Sequence, residues 1–192
     1  MQDKTEKYFK QTLLWIAGIG LVASFFFSNQ HDDMVEIPYA FLYKHGISLY
    51  FQTAVYLIVF TQILRLRPIR NMIEVRNKTN ETILKLFKLV LLDWFIFWSC
   101  LLIPYCLIHR TKLFQVGDWR VGLLLLVMHM LLMLIVMLIM IAAYSMPYPY
   151  LAFVFALLVT LLYHYNLERP ILMVKYSIIF DPLYQAIHHI YY

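Results

Sequence analysis

The sequence predicts an all-α protein, a polytopic integral membrane helix bundle with five spans plus a C-terminal re-entrant or sixth segment. Of its 192 residues, 62% are hydrophobic and only 14% are charged, and the mean hydropathy is +0.69. Soluble domains are about 45–50% apolar and about 25% charged, so this composition excludes a soluble fold. The apolar residues also fall in runs close to the length of about 20 residues that a helix needs to cross a bilayer. We therefore expect a single transmembrane domain over residues 1–192.

The first two spans are bounded by basic residues. A lysine-rich N-terminal lead, residues 1–12, precedes the first predicted span at residues 13–28. Three phenylalanines and a polar stretch end that span, whereas a signal peptide ends in a small-residue cleavage site. The second predicted span, residues 47–64, ends sharply at Arg65, Arg67 and Pro68.

Three further spans follow in the second half of the chain, at residues 89–108, 121–143 and 150–163. The fourth span is apolar on all sides except at His129, which is typical of a helix surrounded by other helices or by lipid. The tail, residues 170–192, is interrupted by a lysine, an aspartate and a proline. It is predicted to be a re-entrant or interfacial segment, with a tilted sixth span as the alternative.

The distribution of Lys and Arg predicts the orientation, because loops on the cytoplasmic side of a membrane are enriched in these residues. Ten of the sixteen lie on the side of the N terminus, seven of them between Arg65 and Lys88, and six lie on the other side. We therefore expect a multi-pass protein of the cell membrane with its N terminus in the cytoplasm.

The loop between the second and third spans, residues 65–88, is predicted to contain a short amphipathic helix. Pro68 suits the first turn of a helix, and apolar residues then recur at helical spacing. The apolar anchors are Ile69, Met72 and Ile73, and the charged candidates for partner contacts are Arg70, Glu74 and Arg76. A second helix is predicted to begin near Asn80 and to continue into the third span. The loop either lies on anionic lipid or docks a soluble partner in a groove.

This layout resembles the membrane subunit of ATP-binding cassette exporters of the type-two permease class. The features that carry the resemblance are the basic lead, the acidic outer loop with Asp32, Asp33 and Glu36, and the coupling loop 65–88. The resemblance implies that the loop contacts a cytoplasmic ATPase and that the permease pairs with itself or with a similar subunit. The chain has no G-x-x-x-x-G-K-[ST] phosphate loop, so ATP is expected on a separate subunit and no cofactor on this one.

Two ionisable residues inside the predicted spans are candidates for function, because burying such groups in a membrane is costly. Asp93 is predicted near the cytoplasmic interface. A neighbouring cation or snorkelling of the side chain would explain its position, and a role in transport is the alternative. His129 is predicted deeper, where it forms an interhelical hydrogen bond to a Tyr or Ser, or else binds a proton, a metal or a polar substrate.

Small residues at spacings of three and four in the first span predict close helix packing, either inside the bundle or between subunits. They are Ala17, Gly20 and Ser24.

These observations favour a permease subunit that moves a peptide or hydrophobic substrate with the help of a separate ATPase. The alternative is a non-transporting accessory or immunity protein. A third hypothesis is a membrane peptidase, which needs a cysteine beside a histidine. The two cysteines, Cys100 and Cys106, lie six residues apart on different faces of the third span, so neither a redox pair nor a metal site is expected. The expected partners are the lipid bilayer, the ATPase and a second permease subunit, and nucleic acid is not expected.

Overall fold

A computed structural model describes residues 2–28, 36–110 and 113–188, with side chains from residue 7 onward. The described residues are 88% helical and contain no strand. Five helices in them are long and apolar enough to cross a membrane. The prediction of an all-α membrane helix bundle is confirmed. Asp32 and Asp33, two of the acidic residues predicted for the first outer loop, lie outside the described residues.

The first half of the chain contains three α-helices, with a sharp change of direction after the second. The elements in order are α1 (Gln2–Ser28), a π-helical turn (Pro38–Tyr43), a second π-helical turn (Gly46–Phe51), α2 (Gln52–Leu66), a 3₁₀ turn (Arg67–Ile69) and α3 (Arg70–Val75). Asn77, with a positive φ of 53°, lies in the turn between α3 and the next helix. Asparagine tolerates this left-handed conformation better than most residues do.

The second half contains the remaining membrane helices and a short helical tail. The elements are α4 (Thr79–Ile108), α5 (Trp119–Met140), a 3₁₀ turn (Ile141–Tyr144), α6 (Tyr150–Tyr163), a π-helical segment (His164–Leu172), α7 (Met173–Tyr176), a 3₁₀ turn (Ile178–Phe180) and α8 (Pro182–His188). From Tyr150 to Tyr176 these segments form one continuous helix of 27 residues.

The fifth membrane helix differs from its predicted bounds. The apolar run ends at residue 163, but the helix continues through the π-helical segment and reaches the part of the tail predicted to be re-entrant. Pro170 lies inside this segment. A proline inside a membrane helix is tolerated where neighbouring groups or a local π adjustment satisfy the freed backbone groups. Glu168 therefore belongs to a membrane helix and not to a loop.

Helix α2 is central, since it contacts α1, α4, α5 and α6, while α1 packs along α4. The close approach of α1 to α4 occurs at Gly20, where a Cβ atom would lie 2.8 Å from the Phe97 carbonyl oxygen and 2.9 Å from Cys100 Cβ. Ser24 is buried and Ala17 is half-buried on the same helix. The small-residue stripe thus packs at Gly20 against a helix of its own chain.

The two ends of the bundle are built differently. At the end that carries α3, arginine side chains reach the turn between α5 and α6. At the opposite end, buried Glu36 accepts hydrogen bonds from the backbone N–H groups of Gln115 and Val116, each 3.2 Å long, and from the Tyr176 hydroxyl at 2.7 Å. Glu36 thereby ties the loop before α5 to the end of the fifth membrane helix.

Candidate functional site

A set of buried polar side chains lies where α2, α5 and the fifth membrane helix meet. We call it the polar cluster, and each of its members is at most 3% exposed. It comprises Gln52, Tyr56, His129, Thr160, His164 and Glu168. Because buried polar and charged groups cost free energy unless they are paired, such a cluster in a membrane protein marks a functional site by default.

Each member reaches the cluster from a defined place in its helix. His129 lies ten residues after Trp119, the first residue of α5. That spacing is about 15 Å along the axis, or half of a hydrocarbon core about 30 Å thick. Gln52 and Tyr56 lie one turn apart at the start of α2, and His164 and Glu168 lie four apart on the π-helical segment. π-Helical turns occur frequently at functional sites.

The centre of the cluster is a carboxylate between two imidazoles. Glu168 Oε1 is 2.7 Å from His129 Nδ1, and Glu168 Oε2 is 2.8 Å from His164 Nδ1. Each ring nitrogen donates to the carboxylate, so both histidines present Nδ1–H to Glu168. Charge-assisted hydrogen bonds of this length are among the stronger ones in proteins.

A series of hydrogen bonds on the Nε2 side of His129 determines which atom of the Gln52 amide faces the histidine. The Thr160 hydroxyl donates to the Ala156 carbonyl at 2.9 Å. Its oxygen therefore accepts from the Tyr56 hydroxyl, 3.2 Å away. The Tyr56 oxygen in turn accepts from Gln52 Nε2. This leaves Gln52 Oε1 facing His129 Nε2 at 3.1 Å, and that oxygen can only accept.

His129 therefore has an acceptor at each ring nitrogen, the Glu168 carboxylate on one side and the Gln52 amide oxygen on the other. Both acceptors are satisfied together by an imidazole that donates from both ring nitrogens. In that form His129 and Glu168 make a buried pair without net charge. A neutral pair of this kind is the form in which ionisable groups are tolerated inside a bilayer.

The polar cluster extends toward one end of the bundle through His45. His45 Nδ1 is 3.0 Å from His164 Nε2, and His45 is half-buried just before the second π-helical turn. Partial burial, the neighbouring His164 and the Arg169 guanidinium lower the pKa of His45 below its ordinary value of 6.5. His45 is thus held mainly neutral, as a link between the buried cluster and the bundle surface.

Aromatic rings close the cluster around His129. The ring centroid of Trp98, on α4, is 6.0 Å from that of His129, and the centroid of Tyr163 is 6.3 Å away on another side. Low-dielectric walls of this kind strengthen the electrostatic interactions that they enclose.

A second buried polar group joins α1, α2 and α4 nearer the α3 end. Gln62 Nε2 donates to Thr12 Oγ1 at 2.8 Å, while Gln62 Oε1 has no hydrogen-bond partner among the described residues. Asp93 is completely buried beside Gln62, and neither of its carboxylate oxygens has a partner at hydrogen-bond geometry within the described part of the chain. Asp93 is therefore an interior group and does not snorkel to the interface.

The loop predicted to dock a partner forms α3, and its arginines contact its own chain. Arg67 Nη2 donates to the carbonyls of Met146 and Pro147 at 2.5 and 2.9 Å. Arg70 Nη1 donates to the Ser145 carbonyl at 2.8 Å. These bonds tie α3 to the turn between α5 and α6, the two helices that carry His129 and Thr160.

The exposed apolar side chains of α3 lie on the face opposite Arg70. At 100° per residue, Met72 and Val75 lie about 200° and 140° around the helix from Arg70, whereas Glu74 lies on the arginine side. Met72 is 69% exposed and Val75 is 89% exposed. We call these two residues the α3 surface. Arg70 bonds Glu74 at 2.6 Å, and Arg76 is exposed, while Ile69 and Ile73 are half-buried.

The structure brings one predicted site residue, His129, into the polar cluster and places Asp93 apart from it. The partners of His129 are a glutamate and a glutamine on other helices, and not the Tyr or Ser predicted. The other five members of the polar cluster and the neighbouring His45 were not predicted from the sequence. The five are Gln52, Tyr56, Thr160, His164 and Glu168. The signal that could have identified two of them is the His164-x-x-x-Glu168 spacing, which places both side chains on one helix face.

No protein-family model, curated protein or solved structure matches this chain. In the described ranges, no group of three or more His, Cys, Asp or Glu side chains is arranged to hold a metal ion. The features of the described residues that bear on function are the polar cluster and the α3 surface.

Proposed function

We propose that this chain is the permease subunit of an exporter that is driven by a separate cytoplasmic ATPase. The observation that carries the proposal is the tie between α3 and the α5–α6 turn. Arg67 and Arg70 bond that turn on one face of α3, while Met72 and Val75 remain exposed on the other. A soluble subunit bound to the exposed face would pull on helices that carry the polar cluster.

The occupant that we propose for the α3 surface is an ATPase, since the chain itself has no phosphate loop and transport against a gradient needs an energy source. Short amphipathic helices are recognised by laying their apolar anchors into a groove. Lipid binding would use the basic side chains of the loop, but Arg67 and Arg70 are engaged by backbone carbonyls. Arg76 stays exposed beside the apolar pair, and the apolar pair is the part of the loop that a protein groove would bind.

In this mechanism, ATP binding moves the ATPase groove and with it α3. The arginine bonds transmit the displacement to the α5–α6 turn, and helices α5 and α6 rock around the buried cluster. Such rocking around a central site is the general basis of alternating access. A second permease subunit, identical or similar, would complete the cavity for a peptide or hydrophobic substrate.

Affinity purification tests the proposal with two matched variants. The Met72→Gln, Val75→Gln double variant removes apolar contact without changing the charge of the loop. Asn80→Gln introduces the same residue at an exposed position outside the α3 surface, where no apolar contact is lost. Burying each apolar side chain contributes about 1–2 kcal/mol, so the double variant should bind the partner about 30- to 700-fold more weakly.

The wild type and Asn80→Gln should retain a protein that has a phosphate loop and hydrolyses ATP, and the double variant should lose it. Absence of an ATPase from the wild-type preparation would contradict the proposal, as would its retention by a correctly folded double variant. Because the substitutions are neutral, binding of the chain to anionic vesicles should stay unchanged, which separates the ATPase from a lipid surface as the occupant.

The alternative of a non-transporting accessory or immunity protein corresponds to a wild-type preparation without ATPase. The peptidase hypothesis requires a cysteine nucleophile near a base. Cys100 packs against Gly20 on α1, and the histidines of the polar cluster bond Glu168 and Gln52. This arrangement does not favour a cysteine peptidase.

A further inference from the structure

We infer that the polar cluster is a proton-binding site, loaded from the His45 end of the bundle and closed at Gln52. The ligand is a proton, and the path to it is the series His45, His164, Glu168 and His129. This inference is independent of any ATPase, because it depends only on side chains of this chain.

The hydrogen bonds along the path are continuous, and those of His45 and His164 donate in the same direction, toward Glu168. In the resting arrangement, His45 Nδ1–H donates to His164 Nε2 at 3.0 Å, and His164 Nδ1–H donates to Glu168 at 2.8 Å. Glu168 completes the path at 2.7 Å from His129. All three contacts are short enough for proton transfer between heavy atoms, which needs about 2.6–3.2 Å.

A proton arriving from solution can move along this path without breaking any heavy-atom bond. It adds to His45 Nε2, and the Nδ1 proton of His45 passes to His164 Nε2. The Nδ1 proton of His164 then passes to Glu168 Oε2. One proton has entered, His45 and His164 are each neutral in their other tautomer, and Glu168 is now a neutral acid beside the His129 cation.

The path ends at His129, because its far neighbour cannot relay a proton. Gln52 presents its amide oxygen to His129 Nε2, and a primary amide neither accepts nor releases a proton under physiological conditions. Among the described residues, the hydrogen bonds beyond Gln52 lead through the Tyr56 and Thr160 hydroxyls to the Ala156 carbonyl. The geometry therefore describes a binding site with one entrance and not a conducting channel.

The charged groups around the path disfavour a proton that rests at the entrance. The titratable or charged groups that face it are Tyr56 from α2, Tyr163, Tyr165 and Arg169 from the fifth membrane helix, and the four members of the path itself. Arg169 repels a proton at His45, whereas the Glu168 carboxylate attracts one at the centre. His45 is thus an entry point and Glu168 with His129 is the store.

Nitrogen-15 NMR of the histidine side chains tests this inference on the purified single chain in lipid nanodiscs. At pH 7.5, where an ordinary imidazole is mainly neutral, one histidine should show N–H on both ring nitrogens, and His129→Gln should remove that signal. Glu168→Gln should convert His129 to the neutral form, since the new amide donates to Nδ1 in place of the carboxylate. That substitution preserves the shape of the site, so the variant is expected to fold.

The entrance is tested by exchange of the His129 ring protons after transfer into deuterated buffer. His45→Gln should slow this exchange about 10²- to 10⁴-fold, as expected when one positioned proton-transfer group is removed. His188→Gln, a change of an exposed histidine that stacks on Tyr184 away from the cluster, should leave the exchange unchanged. Absence of a doubly protonated histidine, or exchange at the wild-type rate in His45→Gln, would overturn the inference.

Discussion

The buried pair of His129 and Glu168 leads to a prediction that can be measured as stability. Glu168→Met replaces the carboxylate by an apolar side chain of similar length, and it leaves the Nδ1–H groups of His129 and His164 without an acceptor. Removing one partner of a buried charge pair costs about 3–5 kcal/mol. For a chain of 150–250 residues, each kcal/mol lowers Tm by about 2–4 °C, so Tm should fall by about 6–20 °C.

The decisive comparison is a double-mutant cycle followed by thermal unfolding in nanodiscs. The Glu168→Met, His129→Met variant removes both charges, and replacing a buried ion pair by apolar residues is often close to neutral. We expect the double variant to be more stable than the sum of the two single variants by about 2–3 kcal/mol, within the range found for residues in one network. Strict additivity, or a Tm of Glu168→Met within 2 °C of wild type, would refute the pairing. His188→Gln serves as the unaffected control.

Three further predictions concern the packing and the ends of the cluster. Gly20→Val should destabilise the protein by about 1–3 kcal/mol, because its Cβ would meet the Phe97 backbone carbonyl. Gly18→Ala, in the same helix but with open space around it, should instead stabilise the protein by up to about 1 kcal/mol in the same unfolding assay. Thr160→Val should cost about 1–2 kcal/mol by removing the acceptor of the Tyr56 hydroxyl, and equal stability of Thr160→Val and wild type would contradict the donor order. The pKa of His45 is lower in the folded protein than in the unfolded chain. As the pH falls below about 6.5, the unfolded chain therefore binds more protons at His45 than the folded protein does. Tm should decrease on acidification through this range, and the decrease should be smaller in His45→Gln.

The membrane helices could be predicted from the sequence because each is a local feature. An apolar run with basic or polar ends specifies a membrane span whatever its neighbours are, and Pro68 followed by spaced apolar residues specifies the start of α3. Even so, the helices extend beyond their apolar runs. α4 begins at Thr79, close to the helix start predicted near Asn80. Its first turns are polar and therefore lie outside the predicted span, which begins at residue 89.

The polar cluster could not be predicted in the same way, because its partners come from different helices. His129 is visible as a single polar residue in an apolar run, but its pairing with Glu168 depends on how α5 and the fifth membrane helix pack. Glu168 is followed by Arg169 and Pro170, a sequence typical of a loop. Only the π-helical continuation of the helix brings it inside the bundle, and a change from α to π hydrogen bonding has no local sequence signal comparable to an apolar run.

The central claim is that α3 transmits the movement of an ATPase to the helices around the polar cluster. The measurement that tests it most directly is backbone hydrogen exchange in the complex of this chain with the proposed ATPase, with and without ATP. Addition of ATP should change exchange in the α5–α6 turn and around His129. In Arg67→Gln, Arg70→Gln the ATPase should remain bound while that change disappears. If ATP leaves exchange in the turn unaltered, or if the change persists in the double variant, the claim is wrong.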